Sequence, residues 1–249
     1  MKTLKLTAKD FKEVNGYKEY QGKEDLTNLE GNLELEANMG WMKFLRIKVS
    51  GYILIEAGGS IEADSWIEAG DSIKAGGLIK AGGSIKAGGS IEAGDSIEAG
   101  DSIKAGGSIK AGGSIEAGDS IKAGGLIEAG GWIKAGDWIE ADSSIEADSW
   151  IKAGGSIEAG DSIEAVNGGI TCGLQLSCKG LLKFKLRLFA GVTPYSWYEN
   201  PNKTVTCGKL EGNVVYGDVI ETGLPEEKQP EASEDETIVL NGKTYKLVG

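Results

Sequence analysis

The chain has 249 residues, with 40 glycines, 4 prolines, 3 cysteines, no histidine and a net charge of −12. The lack of histidine excludes Ser-His-Asp and Cys-His nucleophilic sites, histidine metal centres and the commonest general base. The acidity disfavours direct binding to nucleic acid or to an anionic membrane and favours the basic surface of a protein partner.

That charge is concentrated: residues 51–165 carry 8 Lys against 11 Glu and 9 Asp, a net of −12, so the rest of the chain is balanced. In chain order, residues 1–48 are expected to form an N-terminal cap. Its alternating segments Leu33-Glu34-Leu35-Glu36 and Met42 to Val49 read as strands, with Val49 and Gly51 already in the phase of the repeat that follows. The opening MKTLKLTAKDFKEV lacks an apolar signal-peptide core, and no run reaches the 18 or more apolar residues of a membrane-spanning helix. A cytoplasmic protein is the expectation.

From Ile55 to Ile163 an isoleucine falls at every sixth position, with alanine two residues later, in the unit Ser-Ile-Glu/Lys-Ala-Gly-Gly/Asp. A six-residue period fits no helix face. Alternation of Ile and Ala with Ser and Glu/Lys is instead a strand with one buried face, and Gly-Gly or Gly-Asp supplies a corner. One such strand cannot bury its apolar side, so successive coils must stack. The fold class expected is all-β: a single elongated parallel β-solenoid with terminal caps, its body spanning residues 49–191.

After Ala165 one extra residue intervenes, and the hexad resumes with Ile170, Leu176, Leu182 and Leu188, followed two positions on by Cys172, Cys178, Phe184 and Ala190. Cys172 and Cys178 therefore replace core alanines, which argues against a disulfide framework or thiol chemistry. Lys183, Lys185 and Arg187 point outward here as a basic strip. Pro194 to Tyr198 breaks the repeat, and residues 192–223 are expected to hold cap strands at Thr204 to Cys207 and Asn213 to Tyr216. Residues 224–236 read as an acidic linker, and residues 237–249 as a β-hairpin turning at Asn241-Gly242.

The hexad is compatible with two hexads per coil (12 residues, flattened) or three (18, triangular). Among the bulky residues that precede an isoleucine, Leu54, Trp66, Leu78, Leu126, Trp138 and Trp150 differ by multiples of twelve, and only Trp132 does not. Twelve is the reading these favour. It gives one wall a net charge of −4, with Glu56, Glu68, Glu92, Glu116, Glu128, Glu140 and Glu164 against Lys80, Lys104 and Lys152 beside the bulky residues, and puts Lys74, Lys86, Lys110, Lys122 and Lys134 with four Glu on the other. The candidate interaction face is Trp66, Glu68, Glu92, Glu116, Glu128, Trp138, Glu140 and Trp150, with the corner residues Asp71, Asp95, Asp101 and Asp119, since acid plus exposed tryptophan marks an interface. A coil of eighteen would instead give outward rows Glu56-Lys74-Glu92-Lys110-Glu128, Glu62-Lys80-Glu98 and Glu68-Lys86-Lys104, without a strongly acidic wall.

No catalytic pair, metal or cofactor is expected. The carboxylates repeat along the rod with no single enclosed site, calcium-binding nonapeptide repeats have another period, and no Gly-Lys-Ser/Thr element follows the glycines. The body built on Ser60-Ile61-Glu62-Ala63, continuing through Leu186-Arg187-Leu188-Phe189-Ala190-Gly191 and Cys207-Gly208-Lys209-Leu210-Glu211-Gly212, resembles the AGG/AGD hexad-repeat proteins of Firmicutes and their phages. That resemblance implies a β-solenoid in a phage or mobile-element setting and no catalytic residues. Hexapeptide acyltransferases, which rely on a histidine, do not match. The functional expectation is a non-enzymatic protein-binding solenoid, an acidic inhibitor that mimics DNA toward a nucleic-acid-binding host defence enzyme such as a CRISPR effector or restriction enzyme. The alternative is an assembly module that forms a homodimer through exposed tryptophans and the terminal hairpin.

Overall fold

The computed structural model describes residues 2–192, 203–225, 237–240 and 243–246. Three-residue strands with a buried-exposed-buried alternation recur through the body, as at Ile103–Ala105, and the chain visits three parallel sheets in turn. The first face holds eleven strands, from Thr3–Leu6 to Lys209–Glu211; the second holds twelve, from Phe11–Val14 to Val214–Tyr216; the third holds ten, from Ile47–Val49 to Asp218–Glu221. The solenoid is therefore triangular.

Register fixes the coil at eighteen residues. Ile73 pairs with Ile91, Lys74 with Glu92 and Ala75 with Ala93, and the same spacing holds from Ile85 to Ile103 and from Ile97 to Ile115. The flattened twelve-residue coil is thus corrected, and the corners give the reason. Among the described residues, none between Gly59 and Ala190 has a positive φ. A tight chain reversal between two walls ordinarily needs such residues, whereas a triangle asks each corner only for a shallow bend. The corners are nonetheless tight: a Cβ on Gly118 would stand 1.8 Å from the Gly100 carbonyl oxygen.

The core follows the hexad. Every isoleucine of the repeat from Ile61 to Ile163 is fully buried, and the alanines two positions on line the same interior. Each buried isoleucine contributes about 1.5–3 kcal/mol relative to exposure. Beyond Ala165 the expected phase is observed, with Ile170, Leu176, Leu182 and Leu188 stacked on the isoleucine columns and Cys172, Cys178, Phe184 and Ala190 also facing inward. All three cysteines are free and buried. Burial pushes the Cys172 and Cys178 thiols up to about 12, so neither is poised for thiolate chemistry.

Phase at the N-terminal end differs from expectation by two residues. Ile47 and Val49 pair with Ile67 and Ala69, so Val49 takes an alanine place and Gly51 lies in a corner. Likewise Ile53 and Ile55 pair with Ile73 and Ala75, Glu56 to Gly58 form the connection, and the two extra residues Gly59 and Ser60 lengthen the next strand, Gly59–Ala63. The run Met42 to Val49 is two strands, Gly40–Phe44 and Ile47–Val49, divided at a corner formed by Leu45 and Arg46. A hairpin of Phe11–Val14 and Tyr17–Tyr20 turns at Asn15-Gly16, both with positive φ, and carries Phe11 and Tyr20 onto Phe44 at ring distances of 5.7 and 5.9 Å. These rings and the buried Leu6 and Leu26 close the N-terminal end of the core.

At the other end, Thr204–Cys207, Lys209–Glu211, Val214–Tyr216 and Asp218–Glu221 extend the same three faces. Thr237–Leu240 and Lys243–Lys246 form an antiparallel pair, as expected of the hairpin. The break at Pro194 to Tyr198, most of the acidic linker and the Asn241-Gly242 turn lie outside the described residues. Among the described residues, no helix is long and apolar enough to cross a membrane.

Candidate functional site: an acidic corner between two tryptophan clefts

Eighteen-residue stacking mixes charge along the faces, setting Lys beside Glu at some steps and like beside like at others, as in Glu128-Glu146-Glu164 and Lys86-Lys104-Lys122. Down the first face the outward row reads Lys5, Glu34, Leu54, Lys74, Glu92, Lys110, Glu128, Glu146, Glu164, Lys183. Neighbours pair: Lys74 with Glu92 at 3.0 Å, Lys110 with Glu128 at 2.6 Å and Lys183 with Glu164 at 2.7 Å. On the second face Lys80 meets Glu98 at 3.3 Å and Lys134 meets Glu116, while on the third Lys122 meets Glu140 at 2.6 Å. The Glu140 carboxylate holds Lys122 above its ordinary range, as Glu128 does Lys110. Exposed pairs of this kind add little stability singly. Their effect is to neutralise the flat faces, so no acidic wall exists and the uncompensated charge moves to the corners.

The predicted interaction residues scatter accordingly. Glu92 and Glu128 lie on the first face, Glu116 on the second, and Glu68 and Glu140 on the third. Asp95 and Trp150 occupy the corner between the first and second faces, and Asp71 the corner between the third and first. Only Trp66, Asp101, Asp119 and Trp138 are brought together, on the corner between the second and third faces. Two residues not singled out from the sequence join them there: Asp137, and Asp64, which is paired with Lys43 at 2.9 Å.

This corner is the most acidic of the three. Asp101, Asp119 and Asp137 sit on successive rungs, with the Asp119 N–H donating to the Asp101 carbonyl at 2.9 Å and the Asp137 N–H to the Asp119 carbonyl at 2.8 Å. Backbone bonding thus clamps three exposed aspartates about 4.8 Å apart, like charge over like. Nothing in the core requires this, because Gly83 and Gly155 fill the same place on the flanking rungs. The signal that could have found the ladder is the eighteen-residue spacing of its aspartates.

Trp138 stands on the last rung of the ladder and Trp66 two rungs before its first, so the two are four rungs or about 19 Å apart. Each is substantially exposed, and on each the next rung offers only Gly-Ser, Gly83-Ser84 or Gly155-Ser156. An open cleft follows in both places, of about 470 Å³ at Trp66 and about 490 Å³ at Trp138. The Trp66 cleft is edged by Glu68, Lys86 and Asp101; the Trp138 cleft is edged by Asp137, Glu140, Glu158 and Leu174. Trp132 and Trp150, also exposed, stack on successive rungs of a different corner. Among the described residues no group of histidine, cysteine, aspartate or glutamate side chains could hold a metal ion. The arrangement can present fixed negative charge and indole surface to a cationic partner. In comparisons with known proteins, no family model, no curated protein and no solved structure matches this chain.

Proposed function

We propose that the protein is a non-enzymatic binding rod that presents the corner of Asp101, Asp119 and Asp137 to the basic surface of a nucleic-acid-binding protein. The observation that carries this is the ladder of three aspartates on successive rungs, held by backbone hydrogen bonds, on a rod whose flat faces offset glutamate with lysine at contacts such as Lys80–Glu98, Lys122–Glu140 and Lys134–Glu116. Like charges kept adjacent weaken the fold, so their placement makes sense as recognition. Ten strand intervals on the first face make the rod about 48 Å long, matching about 14 base pairs of duplex. An acidic inhibitor acting by mimicry of DNA, in the phage setting that the sequence resemblance implies, fits this length and charge.

The test is capture from a bacterial lysate on immobilised protein at low and high salt, with competition by a duplex of matching length. The expected result is recovery of a protein with a basic groove, released by salt and by duplex. Recovery of nothing, or of partners indifferent to both, would overturn the reading. A competing reading, self-association through the stacked Trp132 and Trp150, is settled on the same preparation by light scattering, where a dimer dissociated by Trp132→Ser would favour it.

A further inference from the structure

We infer that the cleft beside Trp138 is a receptor for an arginine side chain of the partner. The inference rests on the corner being the binding surface and names the chemistry of one contact on it.

The argument comes from comparing the two tryptophans, which occupy the same column four rungs apart. At Trp66 the chain supplies its own cations from both neighbouring rungs. Arg46, one rung before in the same column, lays its guanidinium over the indole at 5.1 Å from the ring centroid. Lys86, one rung after, edges the cleft and reaches Glu68 at 3.7 Å. At Trp138 both of these positions have changed. The place of Arg46 is taken by Ser120, too short to cover an indole, and the place of Lys86 by Glu158. Ser120 is buried, with a hydroxyl that has no hydrogen-bond partner.

Trp138 thus keeps the aromatic ring of a cation–π pair while its internal cation is absent and a carboxylate stands where a lysine stood. Among the described residues Asp137 and Glu158 form no ion pair, and Glu140 is engaged by Lys122 at 2.6 Å. An indole face next to unpaired carboxylates attracts a planar guanidinium, which can stack on the ring while its N–H groups donate to the carboxylates. Lysine offers a point charge without the stacking plane and fits less well. The Arg46–Trp66 pair is the chain's own example of the contact.

The test uses fluorescein-labelled hexa-arginine and hexa-lysine peptides, with binding followed by anisotropy at low salt. The expected result is tighter binding of hexa-arginine, with Trp138→Leu weakening it roughly 5- to 10-fold and erasing the preference over hexa-lysine. Glu158→Lys should weaken it at least as much, by restoring the internal cation seen at Trp66. Glu146→Lys on the first face makes the same charge change away from the cleft and should cost less. Circular dichroism checks that each variant keeps the fold. If Trp138→Leu binds both peptides as the parent does while Asp101→Asn with Asp119→Asn and Asp137→Asn does not, the cleft assignment is wrong and the acidic corner stands. If neither variant changes binding, both readings fall. Equal weakening by Glu158→Lys and Glu146→Lys would reduce the effect to net charge and also overturn the cleft.

Discussion

Replacing Asp101, Asp119 and Asp137 together by asparagine is expected to make the protein more stable and to weaken its binding to a basic partner. The three carboxylates stack on successive rungs, where side chains directly opposite across a parallel ladder interact and like charges repel. Asparagine keeps the shape, removes the repulsion and can form an amide ladder along the rod. Relief of two adjacent like-charge contacts at solvent-exposed positions amounts to roughly 0.5–1 kcal/mol, visible as a rise in the urea midpoint that shrinks as salt is added. Binding should move the opposite way, because the variant loses three stacked carboxylates that form no ion pair among the described residues. A loss of about tenfold or more in affinity is expected if two or more contacts to the partner are charge-assisted. Asparagines that lowered stability and left binding intact would mean that the ladder is structural.

Ile103→Ala should produce the largest loss of stability. Ile103 is fully buried in the middle of the rod, stacked between Ile85 and Ile121, and truncation leaves a void walled by strands that cannot close in. A cost of about 2–4 kcal/mol is expected. Because each rung touches only its neighbours, the damage should appear as early local opening of residues near 103 in hydrogen exchange, with the N-terminal aromatic cluster protected longer. A uniform loss of protection along the rod would instead show that the solenoid unfolds as one unit.

The interior of this protein is legible in its sequence because Ile and Ala mark inward positions without exception from Ile61 to Ala165, and an alternating pair between glycine corners allows only stacked strands. Coil size was not legible from the bulky residues. Trp66, Trp138 and Trp150 lie on corners, where packing does not constrain them, and a spacing of seventy-two residues divides by both twelve and eighteen. Charge was no better a guide. Spacing of twelve stacks Lys74 on Lys86 and Lys110 on Lys122, but eighteen, the arrangement observed, stacks Lys86 on Lys104 on Lys122 and Glu128 on Glu146 on Glu164 while setting Lys74 beside Glu92 and Lys110 beside Glu128.

The N-terminal phase is hidden in the sequence for another reason. Ile55-Glu56-Ala57 continues the hexad by composition, yet Ile53-Leu54-Ile55 is the strand, because the flanking rungs Leu33 to Leu35 and Ile73 to Ala75 fix its register. The hairpin at Asn15-Gly16 carried a turn signal as plain as that of Asn241-Gly242 but lacked strongly apolar strands. At the candidate site, the aspartates and tryptophans were visible one by one. What united Asp101, Asp119 and Trp138 was the third face, which exists only once the coil holds three hexads.

The claim on which the acidic corner depends is therefore the eighteen-residue coil, and a distance between two labels tests it most directly. Ser84 and Ser156 lie in one corner column, seventy-two residues apart, on partly exposed positions. Spin labels on Ser84→Cys and Ser156→Cys, with the three buried native cysteines replaced by alanine, allow the separation to be measured by pulsed electron resonance. Four rungs of eighteen residues place the two backbones about 19 Å apart, whereas six rungs of twelve would place them about 29 Å apart. A distribution centred near the shorter distance is the predicted result; one centred near the longer distance would dissolve the aspartate ladder and the binding surface built on it.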